Sequence, residues 1–286
     1  MIERISILGT GLLGTSVGLA LRAAGFRGSI VGWNRSVEGG QTALQRGAVD
    51  ALAADPIEAA REAEVTVLAV PIYATLDLME QLPLHLGGDH LVTDVGSTKA
   101  KITQAGMAHF NQMACASFLP GHPMAGKERG GASLADADLF RGAVWLFTDV
   151  PGCVRSKRAL ELITGWRELV VAMGSKILDL DPTRHDELVA WVSHLPQFVA
   201  TALSALLQDE VGDAPELRDI GGRALREMTR LGASPYSMWR DIALTNTEAV
   251  QATLFALEQR LAHLRENLRT PGLRDEFEQA NQFRRE

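Results

Sequence analysis

The stretch that decides the fold is residues 5–14, Ile-Ser-Ile-Leu-Gly-Thr-Gly-Leu-Leu-Gly. Its first four residues are mainly apolar, as expected for a buried β-strand. They lead directly into a G-x-G-x-x-G pattern formed by Gly9, Gly11 and Gly14. From residue 12 to residue 24 the pattern becomes that of a helix. A strand, a glycine-rich turn and a helix in this order predict the first unit of a parallel sheet with helices on its faces.

Each glycine of the pattern has its own expected role. Gly9 permits a tight turn, Gly11 lets backbone approach a pyrophosphate, and Gly14 lets the helix pack closely on the strand. The free N–H groups at the helix start, around Leu12 and Leu13, would then bind the phosphates. A plain strand-to-helix turn is the alternative. The strand before and the helix after the pattern favour a dinucleotide site.

The second strand bears on the choice of cofactor. An acid about 20 residues after the glycines would bind the ribose 2′-hydroxyl of NAD, but Asn34 stands at that place. Arg35 and Ser36 could hold a 2′-phosphate by charge and hydrogen bonding. Arg35 could instead stack on the adenine of either cofactor. We expect NADP to be preferred, with NAD as the alternative, and we place Val70 and Pro71 beside the cofactor as well.

The rest of the chain divides into two parts. Strand-like runs are predicted at residues 29–33, 65–70, 91–94 and 143–147, with helical stretches between them. After residue 178 the strand signals stop, and helical periodicity covers residues 183–208, 217–229 and 238–268. We therefore predict an α/β Rossmann domain with a mostly parallel sheet over residues 1–178. An all-α domain should follow over residues 179–286, with an apolar stripe that packs in a core or a dimer.

Composition and charge exclude several classes of protein. The 286 residues are 46% hydrophobic and 22% charged, as in an ordinary globular protein. A net charge of −7 without a basic stripe argues against nucleic acid as the main partner. No apolar run reaches the roughly 18 residues of a membrane span, and the N-terminus does not resemble a signal peptide. We expect a cytoplasmic protein.

The sequence predicts no metal site. Cys115 and Cys153 are its two cysteines, too few for a disulfide scaffold or a four-sulfur site. No H-E-x-x-H or C-x-x-C motif is present. His185 and His194 are nine residues apart, which predicts roughly opposite faces of a helix.

Two polar clusters should lie at the carboxyl edge of the sheet, where ligands bind in such folds. Residues 93–99 follow one strand, and residues 121–128 follow another. His122 lies between a glycine and a proline, so a turn holds it, which favours a functional role. Ser97 is a plausible orienting group for His122. Ser97 could equally be the N-cap of the next helix, and the two roles are compatible.

The helical part adds two candidates. Pro196 should bend its helix next to His194, so that His194 could line a pocket wall. A helix boundary with a capped histidine is the alternative. Arg230 stands near a predicted helix end, where an arginine is usually a favourable surface charge. In a functional role its two-pronged guanidinium would bind a substrate carboxylate.

At these residues the chain resembles the prephenate/arogenate dehydrogenase family of tyrosine biosynthesis. The resemblance is carried, in chain order, by residues 9–14, 92–99, 121–126, 185–186, 193–196, 229–230, 233–235 and 238–242. It implies oxidation of prephenate or arogenate by hydride transfer from ring C4 to the nicotinamide, with loss of carbon dioxide. It also implies a homodimer through the C-terminal helices.

The resemblance assigns a role to each candidate. It implies that His122 would take the proton of the ring 4-hydroxyl and that Ser97 would support His122 near the nicotinamide. His194 would line the substrate pocket, Arg230 would bind a substrate carboxylate, and Trp239 would be a wall or support residue.

Departures from the family pattern bear on the substrate. Lys127, Gln197, Glu227, Arg223 and Ala224 each differ from what the family often has at these places. If they face the pocket, Lys127 and Arg223 would favour the more anionic prephenate, whereas Glu227 would favour the ammonium of arogenate. We expect prephenate as the substrate, with Lys127 among the residues that bind it, and arogenate or dual specificity as the alternative.

Two other readings stay open. A 3-hydroxyacid dehydrogenase or imine reductase relative would share the architecture. The hydroxyacid enzymes use a catalytic lysine in the helical part, and no lysine follows Lys176. A non-catalytic NADP sensor would bind the cofactor without turnover, but a sensor would not need Ser97, His122, His194 or Arg230.

Overall fold

A computed structural model describes residues 2–110, 116–153 and 155–285, so Cys115 lies outside the described residues. The strands are β1 Arg4–Leu8, β2 Ser29–Trp33, β3 Ala51–Leu52, β4 Val65–Leu68, β5 Leu91–Asp94, β6 Ser117–Leu119, β7 Gly121–Pro123, β8 Val144–Phe147 and β9 Lys176–Asp179. The helices of the first part are α1 Leu12–Ala23, α2 Val37–Gln45, α3 Pro56–Arg61, α4 Ile72–Gln81, α5 Ala100–His109 and α6 Lys157–Ala172. Those of the second part are α7 Pro182–Val189, α8 Leu195–Val211, α9 Glu216–Ile220, α10 Gly222–Thr229, α11 Tyr236–Thr245, α12 Thr247–Glu266 and α13 Pro271–Arg285.

Six strands form one parallel sheet in the order β3-β2-β1-β4-β5-β6. The order reverses beside β1, so the carboxyl ends of β1 and β4 border the crevice in which such sheets bind ligands. β7, β8 and β9 form a smaller mixed sheet, in which β7 is antiparallel and β9 parallel to β8. The predicted Rossmann domain followed by a helical domain is confirmed.

The core lies on both faces of the parallel sheet. Ile7 and Leu8 of β1 point to opposite faces and are both fully buried, as expected for a strand covered by helices on each side. Trp145 of β8 meets Trp166 of α6 edge to face, with ring centroids 6.2 Å apart. Burial of a large apolar side chain stabilises the folded state by about 1.5–3 kcal/mol. Trp145 and Trp166 belong to the same core cluster as residues of β1, β4 and β5, so this cluster holds the smaller sheet against the larger one.

α7 and α8 form one continuous helical stretch with a π-helical turn between them, at Ala190–His194. The turn comes directly before Pro196, which has no N–H for the regular helical bond. The predicted irregularity is therefore present. The prediction that His185 and His194 face opposite sides is wrong, because both rings are buried and belong to one network through Asp186 and Asn246. The π turn lies between them and rotates less per residue than an α turn.

By length and composition alone, Pro182–Val211 could cross a membrane, in contrast to the sequence prediction. It is the one such stretch in the described part of the chain, and core helices of soluble proteins pass the same test. Its buried side carries His185, Asp186 and His194, whose hydrogen bonds join it to α5, β7 and α12.

Candidate active site

The glycine turn has the shape that a pyrophosphate requires. Gly9 has a φ of +102°, and a Cβ there would meet the backbone of Ala69 just after β4. A Cβ at Gly14 would collide with the carbonyl oxygen of Gly9. Gly11 is the N-cap of α1 and borders open space, and the first turn of α1 carries no acidic residue. The free N–H groups of Leu12 and its neighbours can therefore receive phosphate oxygens there.

The end of β2 is the expected place for the adenosine ribose. Asn34 donates from Nδ2 to the carbonyl oxygen of Ser36 at 3.2 Å. Ser36 is the N-cap of α2, and its Oγ accepts a backbone N–H of that helix at 3.2 Å. Arg35 is exposed between them. Val70 lies against the glycine turn, and Pro71 is the N-cap of α4, so both border the same crevice.

A buried chain of side chains leads to His122 on β7. His122 Nδ1 is 2.9 Å from His185 Nε2, and His185 Nδ1 is 2.8 Å from Asp186 Oδ1. The two oxygens of Asp186 accept the backbone N–H groups of Lys99 and Ala100 at 2.7 and 2.9 Å. Asp186 thus caps α5 from α7, and His122 is tied to that cap.

A second buried pair fixes the strand ends around His122. Lys99 Nζ donates to Asp94 Oδ2 at 2.5 Å, and both side chains are fully buried. Asp94 also accepts the backbone N–H groups of Gly96 and Gly121, at 2.7 and 3.0 Å. Losing either partner of such a pair costs about 3–5 kcal/mol, so the pair holds the end of β5 firmly beside β7.

Burial keeps His122 neutral. Desolvation lowers its pKa well below 6.5, and the nearby His185, Lys99 and His194 lower it further. A neutral imidazole in a cleft can accept a proton from a substrate hydroxyl. The predicted base is therefore in the required charge state at neutral pH.

The hydrogen bonds of His194 determine which of its ring nitrogens carries the proton. Asn246 Nδ2 donates to the main-chain carbonyl of Asp186 at 2.8 Å and lies 3.3 Å from His194 Nδ1. Since an amide nitrogen donates, Nδ1 of His194 accepts, and the proton of the neutral ring is on Nε2. Burial lowers the pKa of His194 to about 4, which keeps the ring neutral.

Two neighbouring buried N–H groups, on His194 and Trp239, have no hydrogen-bond partner in the described part of the chain. His194 and Trp239 pack edge to face with centroids 5.9 Å apart. His194 Nε2 and Trp239 Nε1 are buried without a hydrogen-bond partner among residues 2–110, 116–153 and 155–285. Buried donors are nearly always satisfied in proteins, so a ligand with acceptor oxygens fits this place.

The prediction that a turn holds His122 is wrong, because Gly121–Pro123 pairs with β8 as strand β7.

Arg230 lies beside Glu128, which follows β7 in the chain. It begins the 3₁₀ helix Arg230–Ala233, its side chain is 60% exposed, and it pairs with Glu128. Gln197 holds this helix, because its Nε2 donates to the carbonyl of Leu231 at 2.7 Å. Gln197, which departs from the family pattern, therefore supports the segment that carries Arg230.

Some predicted residues are engaged elsewhere. Lys127 donates to the carbonyl of Leu134 at 2.8 Å and lies 3.6 Å from Asp136, so its ammonium faces that loop. Arg223 and Glu227 pair with each other at 2.6 Å on an exposed face of α10, so neither meets the condition of facing the pocket.

The role of Ser97 beside His122 stays a prediction. In the described part of the chain, the partner of His122 Nδ1 is His185. Ser97 is half-buried and has no hydrogen bond to His122 there. The alternative that Ser97 is the N-cap of α5 is wrong, since α5 begins after Lys99 and Asp186 supplies the capping oxygens.

Sequence reasoning missed the parts played by His185, Asp186 and Asn246. His185 and Asp186 were noted only as part of the family resemblance. The usable signal is the adjacent His-Asp pair at the start of an otherwise apolar helix, since buried polar residues need partners. Within residues 2–110, 116–153 and 155–285, no group of three or more His, Cys, Asp or Glu side chains is arranged to hold a metal ion.

Comparison with known proteins identifies both parts of the chain. Residues 17–176 match the family model "Prephenate dehydrogenase, nucleotide-binding domain", and residues 181–283 match "Prephenate dehydrogenase, dimerization domain". A prephenate dehydrogenase of Lactococcus lactis is 32% identical over 265 residues, which are 92% of this chain and 70% of that protein.

Solved structures agree with the family models. The prephenate dehydrogenase of Aquifex aeolicus, in complex with hydroxyphenyl propionate and NAD+, superposes with a TM-score of 0.83 at 27% identity, covering 100% of this chain and 96% of that one. The arogenate dehydrogenase of Synechocystis gives 0.75 at 28% identity, covering 98% of each chain. The predicted family is confirmed: this chain is an oxidoreductase that belongs to the prephenate dehydrogenase family.

Proposed function

We propose that this enzyme oxidises prephenate to 4-hydroxyphenylpyruvate, with hydride transfer to a nicotinamide dinucleotide and loss of carbon dioxide. The observation that carries the proposal is the neutral, buried His122 at the carboxyl edge of the sheet. The buried donors His194 Nε2 and Trp239 Nε1, free to bind substrate oxygens, support it. Arogenate, alone or beside prephenate, is the second candidate, because an arogenate dehydrogenase is among the structural relatives.

The chemistry balances with these residues. His122 accepts the proton of the ring 4-hydroxyl, while the hydrogen on C4 leaves with its electron pair. The bound cofactor supplies the acceptor for that hydride. The bond from the ring to its carboxylate then breaks, and its electron pair completes the aromatic ring. The 4-oxygen is left as a phenolate, to which His122 returns the proton.

The remaining residues bind and orient the substrate. His194 Nε2–H donates to a substrate oxygen, and Trp239 forms a wall beside it. Arg230 exchanges Glu128 for a substrate carboxylate, which its guanidinium can hold through two parallel hydrogen bonds. Ser97 stays near the nicotinamide end of the site in this proposal.

The cofactor is the dinucleotide for which the glycine turn is shaped, and we propose a preference for NADP. Asn34 stands where an acid would hold the ribose hydroxyls of NAD, and the exposed Arg35 is free to approach a 2′-phosphate. NAD is the alternative, since the Aquifex relative was solved with NAD+.

We further propose a cytoplasmic homodimer, with domains divided at residues 178 and 179. The C-terminal helices match a dimerization domain and expose large apolar side chains. Those on α12 and α13 are Phe255, Leu261, Phe277 and Phe283. A partner chain would cover them and would also cover the exposed side of α8.

The reaction is tested by its stoichiometry. Incubation of the purified enzyme with prephenate and oxidised cofactor should release one carbon dioxide and one 4-hydroxyphenylpyruvate for each reduced nicotinamide. Reduction of the cofactor without release of carbon dioxide would contradict the proposal.

A further inference from the structure

Within the proposed reaction, on which this inference rests, we propose that His185 and Asp186 are positioning residues. They hold His122 with its proton on Nδ1 and its lone pair on Nε2, where the substrate hydroxyl is to be bound. The inference stands on three aligned groups on α7 and β7, joined by contacts of 2.8 and 2.9 Å.

The direction of the chain starts at Asp186. Its Oδ1 accepts the N–H of Lys99, and its Oδ2 accepts the N–H of Ala100. A backbone N–H can only donate, so both oxygens act as acceptors, and the positive end of α5 stabilises their negative charge. The nitrogen facing Oδ1, His185 Nδ1, must therefore carry a proton and donate it.

The polarity then passes along the two rings. Burial lowers the pKa of His185 below 6.5, which keeps its ring neutral. A neutral His185 with its proton on Nδ1 has a lone pair on Nε2. His122 Nδ1, 2.9 Å from that lone pair, must donate, which leaves Nε2 of the neutral His122 unprotonated. The opposite direction would need a proton on Asp186 Oδ1, where the N–H of Lys99 already points, or a positive charge on His185, which its burial opposes.

Through its main-chain carbonyl, Asp186 also determines which nitrogen of His194 carries the proton. Its carbonyl oxygen accepts Asn246 Nδ2, which leaves the same amide group facing His194 Nδ1. His194 consequently has its proton on Nε2, opposite to His122. One residue of α7 thus gives the pocket an imidazole that accepts a proton and an imidazole that donates a hydrogen bond.

A burial effect alone would not require this direction. If His185 only filled space between α7 and β7, an apolar side chain of similar size could replace it, and the tautomer of His122 would be free. If it positions His122, its replacement must be able to accept from His122 and donate to Asp186.

The kinetic test compares His185→Gln with His185→Leu. A glutamine at 185 can accept from His122 through Oε1 and donate to Asp186 through Nε2, whereas a leucine can do neither. We expect His185→Leu to lower kcat by at least about tenfold and His185→Gln to stay within about threefold of wild type. The KM for prephenate and the Kd of the cofactor should change by less than about twofold in both variants. Equal losses of kcat in the two variants, or no loss in either, would overturn the proposal.

A second measurement needs no turnover and no substitution at His185. Ring-¹⁵N spectra of the full-length wild-type protein, labelled at histidine, distinguish a protonated from an unprotonated ring nitrogen. Signals are assigned by their absence in His122→Asn and His194→Asn. At pH 7 we expect an unprotonated Nε2 in His122 and a protonated Nε2 in His194. A proton on Nε2 of neutral His122 overturns the positioning role even if the enzyme oxidises prephenate, whereas failure to oxidise prephenate contradicts only the proposed reaction.

Discussion

Replacement of His122 by Asn removes the proposed base and leaves its surroundings in place. The side-chain amide of Asn reaches about as far as Nδ1 of the imidazole, so its Nδ2 can still donate to His185 Nε2. What disappears is Nε2, the nitrogen that faces the substrate. Because His122 is buried, water has little access to the place of its imidazole and cannot readily replace it as the base.

The expected loss follows from the role of a general base. Positioned proton transfer contributes about 10²- to 10⁴-fold, so kcat should fall by that factor, equivalent to roughly 3–5 kcal/mol of transition-state stabilisation. The Kd of the cofactor should be unchanged, since the glycine turn of residues 9–14 is untouched. Asp186 should also continue to cap α5, so that the variant stays folded.

The assay follows the absorbance of the reduced nicotinamide at saturating prephenate. His90→Asn is the matched control: His90 is also buried, but it precedes the amino end of β5, where it contacts Thr66 at 2.8 Å. The control should retain its kcat. If His122→Asn keeps a kcat within twofold of wild type, His122 is not the base and the assignment fails.

Arg230 and Arg35 test other parts of the site, and His90→Asn tests the effect of burial on stability. Arg230→Ala should lower kcat/KM by an amount equivalent to about 2–5 kcal/mol of transition-state stabilisation, because a bound carboxylate loses its guanidinium. Stability should change little, since the pair with Glu128 is exposed. An unchanged kcat/KM would show that Arg230 is only a surface charge. Arg35→Asp should raise the Kd of NADP more than that of NAD, and equal increases measured by fluorescence titration would exclude contact with a 2′-phosphate. Burial lowers the pKa of His90 from 6.5 to about 4, so its contribution to stability is complete above pH 6.5 and is lost as the pH falls towards 4. His90→Asn should therefore make the free energy of unfolding, measured in urea, less dependent on pH by up to about 1.4 kcal/mol per unit over this range, and parallel curves would count against the buried neutral ring.

The fold could be predicted because its signals are local. The glycines of residues 9–14 follow a strand and begin a helix, and this order can be recognised within one short stretch of sequence. The buried strands read as continuous apolar runs, such as that of β4, and the absence of such runs after β9 marks the helical part.

The connections within the site could not be predicted, because they join distant segments. Asp186 lies 87 residues from Lys99, and His185 lies 63 residues from His122. No periodicity within one helix shows that such groups meet. The π turn before Pro196 further changes which residues of that stretch share a face, which is why the positions of His185 and His194 were wrongly predicted.

The contacts of side chains that have several possible partners also could not be predicted from the sequence. Lys127 could have faced the pocket, but the carbonyl of Leu134 is within its reach. Ser97 precedes α5 and has the chemistry of an N-cap, but a carboxylate from α7 takes that place with two acceptor oxygens. These outcomes depend on tertiary packing, which decides among local options that are each acceptable.

The central claim is that this chain oxidises prephenate with a nicotinamide cofactor. The most direct test is a two-by-two assay of the purified enzyme, with prephenate or arogenate against NAD or NADP, followed by the absorbance of the reduced nicotinamide. We expect the highest kcat/KM with prephenate and NADP. No turnover in any of the four combinations, with cofactor binding shown separately, would contradict the account.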